Sequence, residues 1–235
     1  CSHARLHRRA RLMLPEALLL DQDGTLIDSE PLWEQAEAEM MRSLGGELTR
    51  DMREKMIGGP LRTTIDIMLE ATGANRDPQE LEIQLVSEVA RLVQSGGVPW
   101  MPGVHSLFDR MNAAGVPLGL VTSSWRQIAD GVAQAAPEPG FARIVTGEDI
   151  ARPKPEPDAY VKAARLFGAD IRRCVAVEDS LTGIRSALAS GAIVVVIPGV
   201  VDVPASPAYS RVTCLDDVSI ELLEALMAGE RFALL

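Results

Sequence analysis

Two aspartates one residue apart, Asp21 and Asp23, end the apolar run Leu18-Leu19-Leu20 and are followed by Gly24-Thr25. Three consecutive leucines suit a strand buried on both faces of a parallel sheet. Alternate strand residues share a side, so both carboxylates can point the same way as the chain leaves the sheet. Gly24 allows a left-handed step that other residues resist. Two like charges this close are costly unless a cation neutralises them, and carboxylate oxygens suit a hard ion such as Mg²⁺. Taken alone, the octapeptide also fits an ordinary strand end with loop acids.

Two later apolar runs end in the same manner. Residues 116–121 lead into Thr122-Ser123-Ser124, and residues 174–177 lead into Glu178-Asp179-Ser180. Each tail alone reads equally well as a helix N-cap. Ligands of open α/β sheets bind at the carboxyl ends of strands, so these groups would share one rim with Asp21 and Asp23. Lys154 is the remaining member. It lies in Arg152-Pro153-Lys154-Pro155-Glu156-Pro157-Asp158, in a chain with 23 basic residues of which only Lys55, Lys154 and Lys162 are lysines. Flanking prolines restrict the backbone and can fix the direction of its ammonium. Acids, a hydroxyl, a lysine and a further acidic pair on successive strand ends make a site for phosphate and a metal.

The elements that must position these residues are readable from periodicity. After residue 100 the pattern alternates: strands at 116–121, 141–146, 174–177 and 192–197, with helices at 125–135, 156–168, 181–190 and 217–228. Such alternation implies parallel strands with right-handed helical crossovers. Residues 31–100 carry no strand-like run; 31–44, 63–72 and 78–95 have helical spacing, separated by glycine- and proline-rich breaks. Ser29 or Asp28 can cap the first of these helices, with Pro31 in its first turn. The expected architecture is an α/β core of residues 14–30 and 101–235, with a helical insertion, 31–100, after the first strand.

Composition narrows the function. The 235 residues carry a formal charge of −10, which disfavours nucleic acid as a partner. Three scattered cysteines suggest neither a disulfide framework nor a zinc site, so a reducing cytoplasm is the expected setting. No apolar run is long enough for a membrane span. The arginine-rich residues 1–13 lack the apolar core of a targeting segment and are expected to be loosely ordered and outside the fold.

In order, Asp21-Gln22-Asp23-Gly24-Thr25, Thr122, Lys154 and Glu178-Asp179 match the four motifs of the haloacid dehalogenase superfamily. The chain resembles its branch of phosphatases and phosphomutases similar to β-phosphoglucomutase. Asp28-Ser29-Glu30-Pro31 is similar to the family's entry into an inserted helical cap of the C1 type. Gln22 departs mildly from the usual apolar residue. The resemblance implies a Rossmann-like parallel-sheet core and an aspartyl-phosphate mechanism. In it Asp21 attacks phosphorus, and Asp23 protonates the leaving oxygen and then activates water. Mg²⁺ would be held by Asp21, Asp23 (also through its carbonyl) and Asp179, with Glu178 as a ligand or just behind. Thr122 would donate to a phosphoryl oxygen, and Lys154 would place its charge between nucleophile and transferred group. Ser123 and Ser124 would touch substrate. Gly58-Gly59-Pro60-Leu61-Arg62-Thr63 resembles the substrate-facing cap loop, giving Gly58 and Arg62 as substrate contacts. A solvated Arg62 at a helix start is the other reading. His105 is expected to pack or cap a helix, and Trp33, Trp100 and Trp125 to serve the core or the domain junction.

The expected activity is Mg²⁺-dependent hydrolysis of a small phosphorylated metabolite, most simply a sugar phosphate, by a monomer or weak homodimer. A phosphomutase shares the same motifs and differs only in the acceptor of the phosphoryl group. A phosphoacceptor signalling module fits less well, because Asp23 would promote hydrolysis of a phosphoryl-aspartate.

Overall fold

A computed structural model describes residues 13–57, 59–197, 199 and 203–233. The arginine-rich start, for which loose order is expected, lies almost entirely outside the described residues, as does Gly58.

Six parallel strands form one sheet in the order β3-β2-β1-β4-β5-β6. The strands are β1 (Ala17–Leu20), β2 (Leu118–Val121), β3 (Arg143–Val145), β4 (Cys174–Glu178), β5 (Ile193–Val196) and the short β6 (Ser210–Arg211). β1 occupies the middle, paired with β2 on one side (Leu20 opposite Leu120) and β4 on the other (Leu20 opposite Val177). The chain winds outward from β1 to β3, then crosses back to β4. The gap outside the carboxyl ends of β1 and β4 is therefore where the winding direction reverses and side chains from both strands face open space.

All four β1 side chains are buried, as a strand covered on both faces requires. Leu18 and Leu20 enter one apolar cluster, and Ala17 and Leu19 the other. The second cluster is rich in alanine: Ala159, Ala163 and Ala164 of α7 (Asp158–Phe167) meet Ala176 and Ala187. Small side chains bring α7 close beneath the sheet, which places the loop carrying Lys154 and the buried Tyr160 against the strand ends. The first cluster runs without a break from the sheet into four helices between β1 and β2: α1 (Glu30–Ser43), α2 (Arg50–Met56), α3 (Leu61–Thr72) and α4 (Pro78–Gly96). Met40, Met56, Met68, Leu85 and Val89 are among the residues that join them. α4 lies along α6 (Arg126–Gln134), fixing the insert beside the sheet.

The expected elements are present with shifted ends. β2 begins at Leu118 rather than 116, because Val116 N–H turns back to Met111 O and Pro117 has no N–H to give the ladder. Helices α2 and α5 (Val104–Ala114) and strand β6 were not foreseen; α2 is seven residues, mostly charged, with little apolar period. Ser29 stands at the N-cap of α1 yet makes no capping bond, and its hydroxyl helps lower the pKa of the nearby Asp23. His105 is exposed in the first turn of α5, whose N-cap is Gly103. Among the described residues no helix is long and apolar enough to cross a membrane.

Candidate active site

The strand ends open into a cavity of about 540 Å³ lined by the sheet on one side and by α1, α2 and α3 on the other. Asp21 directly follows β1 and still pairs through its N–H to Val177 O at 3.1 Å. Its carboxylate accepts a bond from Lys154 Nζ at 2.6 Å. The same ammonium donates to Glu178 Oε1 at 2.7 Å and Val121 O at 3.0 Å, and lies 3.4 Å from the Tyr160 hydroxyl. Burial alone would favour the neutral amine, but two carboxylates in contact outweigh it and hold Lys154 charged. Asp21 is raised well above the usual carboxylate range by burial and by Glu178, Asp179 and Asp23, against the pull of Lys154.

Asp23 is also raised, chiefly by burial, while hydrogen bonds from Ser29, Gln22 and Thr122 pull the other way. Gln22, the departure from the motif, donates Nε2 to Asp23 Oδ2 at 3.2 Å. Thr122 is buried at the end of β2, and its hydroxyl oxygen accepts Ser124 N–H at 2.9 Å. Ser123 and Ser124 both line the cavity.

Glu178, fully buried at the end of β4, binds Lys154 and also accepts the Tyr160 hydroxyl at 2.5 Å. Asp179 accepts Thr25 Oγ1 at 3.2 Å and is raised to about 6 by burial and by Glu178. Both precede α8 (Leu181–Ser190), capped by Ser180 through Gly183 N–H at 3.0 Å, where a helix N-terminus favours negative charge. Gly24 is held by two demands: its φ is +84°, and a Cβ there would lie 2.2 Å from Asp179 Oδ2. Carboxylate oxygens of Asp21, Glu178 and Asp179 lie within 4.8 Å of one another. This all-oxygen, buried set fits a hard divalent cation. The Asp23 carboxylate is not among these three.

The helical side of the cavity differs from expectation. Arg62 does not line it: Nε donates to Asp66 at 2.9 Å, Nη1 lies 3.8 Å from Glu82, and the side chain is 54% exposed. The solvated reading of Arg62 fits this placement, because an acid four residues on captures its guanidinium on the helix surface. The arginine that does line the cavity is Arg53 of α2, bonded to Glu30 and 3.3 Å from Glu37. Trp33 and Trp125 also line the cavity, their ring centroids 6.0 Å apart. Tyr160, Arg53 and Glu37 were missed in the sequence. Glu37 carried a signal, a charge on the apolar stripe of α1 beside Ala36, Met40 and Met41. Arg53 carried none.

The profile of the haloacid dehalogenase-like hydrolases matches residues 18–197. Hexitol phosphatase A of Escherichia coli (strain K12) is 33% identical over 194 residues, 80% of this chain and 86% of that protein. A HAD hydrolase of family IA, variant 3, from Entamoeba histolytica HM-1:IMSS superposes with a TM-score of 0.76 at 23% identity, covering 90% of this chain and 99% of that one, a likeness of fold. CbbY from Rhodobacter sphaeroides, crystallised as a mutant with xylulose-(1,5)bisphosphate, matches with a TM-score of 0.67 at 28% identity, covering 79% of this chain and 87% of that one. The chain belongs to the haloacid dehalogenase-like hydrolase family. It is a hydrolase on an α/β parallel sheet, of the family its four motifs resemble.

Proposed function

We propose that this chain is a Mg²⁺-dependent phosphatase of a small phosphorylated carbohydrate, working through an aspartyl-phosphate on Asp21. The observation that carries the reading is the setting of Asp21, at the end of the central strand, facing the cavity, 2.6 Å from Lys154 and two residues from a second acid that lines the same cavity. The name of the E. coli relative supports a carbohydrate ester.

A phosphate dianion repels a carboxylate nucleophile, so charge must be neutralised before attack. Lys154 supplies one fixed positive charge. Asp21, Glu178 and Asp179 would hold the cation, which when bound adds positive charge against the phosphoryl oxygens. Asp21 then attacks phosphorus while Asp23, whose pKa burial raises, gives a proton to the departing alcohol oxygen; the phosphorus–oxygen bond to the alcohol breaks. Asp23, now a carboxylate, takes a proton from water as that water attacks the same phosphorus. Inorganic phosphate leaves and Asp21 is restored. Thr122, Ser123 and Ser124 offer hydroxyls along the phosphoryl side, and helices α1–α4 act as the cap that excludes water.

The test is phosphate release from a panel of sugar and sugar-alcohol phosphates with Mg²⁺, repeated with excess EDTA. Release that EDTA abolishes and added Mg²⁺ restores is expected. No release from any ester in the panel overturns the reading.

A further inference from the structure

The cap-facing wall of the cavity is built around one cation. Among the described residues lining the cavity, the positive side chains are Lys154 and Arg53. Lys154 is committed to Asp21 and Glu178. Arg53, 12% exposed, is bracketed by Glu30, which bonds Nη2, and by Glu37 at 3.3 Å from Nη1. One guanidinium between two carboxylates leaves this wall neutral to negative, the wrong sign for a second phosphate group.

The same wall also brings polar side chains to the cavity. Glu37 is 3% exposed on the apolar stripe of α1, and its Oε2, although near Arg53, makes no hydrogen bond; Arg53 Nε is likewise buried without a partner. Glu37 and Arg53 both line the cavity, and a carboxyl that accepts next to a guanidinium that donates matches a hydroxyl, which does both. Trp33 and Trp125 beside them offer flat apolar surface to carbon–hydrogen faces. Glu37 is raised to about 7 by burial and by Glu30 and Glu34, against Arg53, so it can hold a proton in the neutral range and donate as well as accept.

Resting on the phosphatase reading above, we propose that Glu37 and Arg53 are specificity-determining residues. They bind hydroxyls of an uncharged, polyhydroxylated leaving group and, with Glu30, exclude esters that carry a second phosphate. The preferred substrate is then a sugar or sugar-alcohol monophosphate, and a bisphosphate such as the one held by the CbbY structure is disfavoured. The same exclusion works against a mutase cycle, which must retain a bisphosphate intermediate.

The experiment compares kcat/KM for sorbitol 6-phosphate, fructose 6-phosphate and fructose 1,6-bisphosphate with Mg²⁺, in the wild-type chain and in Glu30→Gln/Glu37→Gln. The wild-type chain should favour the monophosphates by at least about tenfold, and the variant, with Arg53 no longer balanced, should narrow that ratio about tenfold or more by lowering KM for the bisphosphate. Glu30→Gln alone, at a half-exposed side chain, is the second variant should the double one fail to fold by circular dichroism, and a smaller shift in the same direction is expected. A wild-type chain that cleaves the bisphosphate as well as the monophosphates, or a ratio unmoved in a folded variant, overturns the proposal and leaves the phosphatase reading standing. No phosphate release from any of the three esters or from p-nitrophenyl phosphate overturns both.

Discussion

The two walls of the cavity are built on different principles. The sheet wall draws Asp21, Thr122, Glu178 and Asp179 from the ends of three adjacent parallel strands and locks them through Lys154, whose ammonium bonds Asp21, Glu178 and the Val121 carbonyl. The helical wall draws Glu30 and Glu37 from α1 and Arg53 from α2, and leaves buried atoms of Glu37 and Arg53 unbonded. One wall is tied together through Lys154 and carries an excess of negative charge that suits a cation. The other brings polar side chains to the cavity and carries little net charge. A rigid, charge-dense wall suits the bond-breaking chemistry common to many substrates, whereas a wall of partly satisfied polar groups suits recognition of one.

Breaking the sheet wall should give the largest effect. Asp21→Asn keeps the size of the side chain and removes the nucleophile, so kcat for phosphate release should fall by about 10⁴-fold or more, with the circular dichroism spectrum unchanged. Residual activity within a hundredfold of the wild type would take the nucleophile role from Asp21.

A smaller effect is expected one layer behind. Tyr160→Phe removes the hydroxyl that donates to Glu178 at 2.5 Å and lies 3.4 Å from Lys154, while the ring stays in its alanine-lined seat. Loss of a hydrogen bond to a charged group costs about 1.5–3 kcal/mol. If that cost falls on the placement of Glu178 and Lys154, kcat should drop about tenfold and the Mg²⁺ concentration for half-activity should rise. A variant merely less stable, with both parameters unchanged, would reduce Tyr160 to a packing residue.

The helical wall should answer to pH and stability more than to catalysis. Glu37 is raised from 4.5 to about 7 in the fold, so between those values the folded chain holds a proton that the unfolded chain releases. Its burial therefore costs little below pH 4.5, and the cost grows as pH rises through 7. Glu37→Gln removes it: relative to wild type, the variant should gain about 1–3 kcal/mol between pH 5 and pH 8 in urea denaturation. Parallel stability profiles would show that Glu37 carries no such burden and would blur the contrast between the walls.

The sheet wall was readable in the sequence because each of its strand-end groups lies next to the run of apolar residues that positions it, and Lys154 is set apart by its flanking prolines. Asp21 follows Leu18-Leu19-Leu20, Thr122 follows β2, and Glu178 ends β4. The helical wall was not. Arg62 sits in the loop-like stretch expected to face substrate, yet Asp66 one helical turn away captures it, while Arg53, in an unremarked run of charges, is drawn inward by Glu30 and Glu37. Ser29 belongs to the same lesson: a cap by position, it makes no capping bond and lines the cavity.

What the sequence by itself determined is the α/β alternation, the helical insertion and the set of residues at the strand ends, since burial on both faces and a period of two act locally along the chain. Only the tertiary structure decided which acids Lys154 joins, that Tyr160 stands behind them, and which of the arginines in the insert faces the cavity. Those outcomes depend on how α1, α2 and α7 pack, and packing is set by contacts between residues far apart in sequence, which no local spacing encodes.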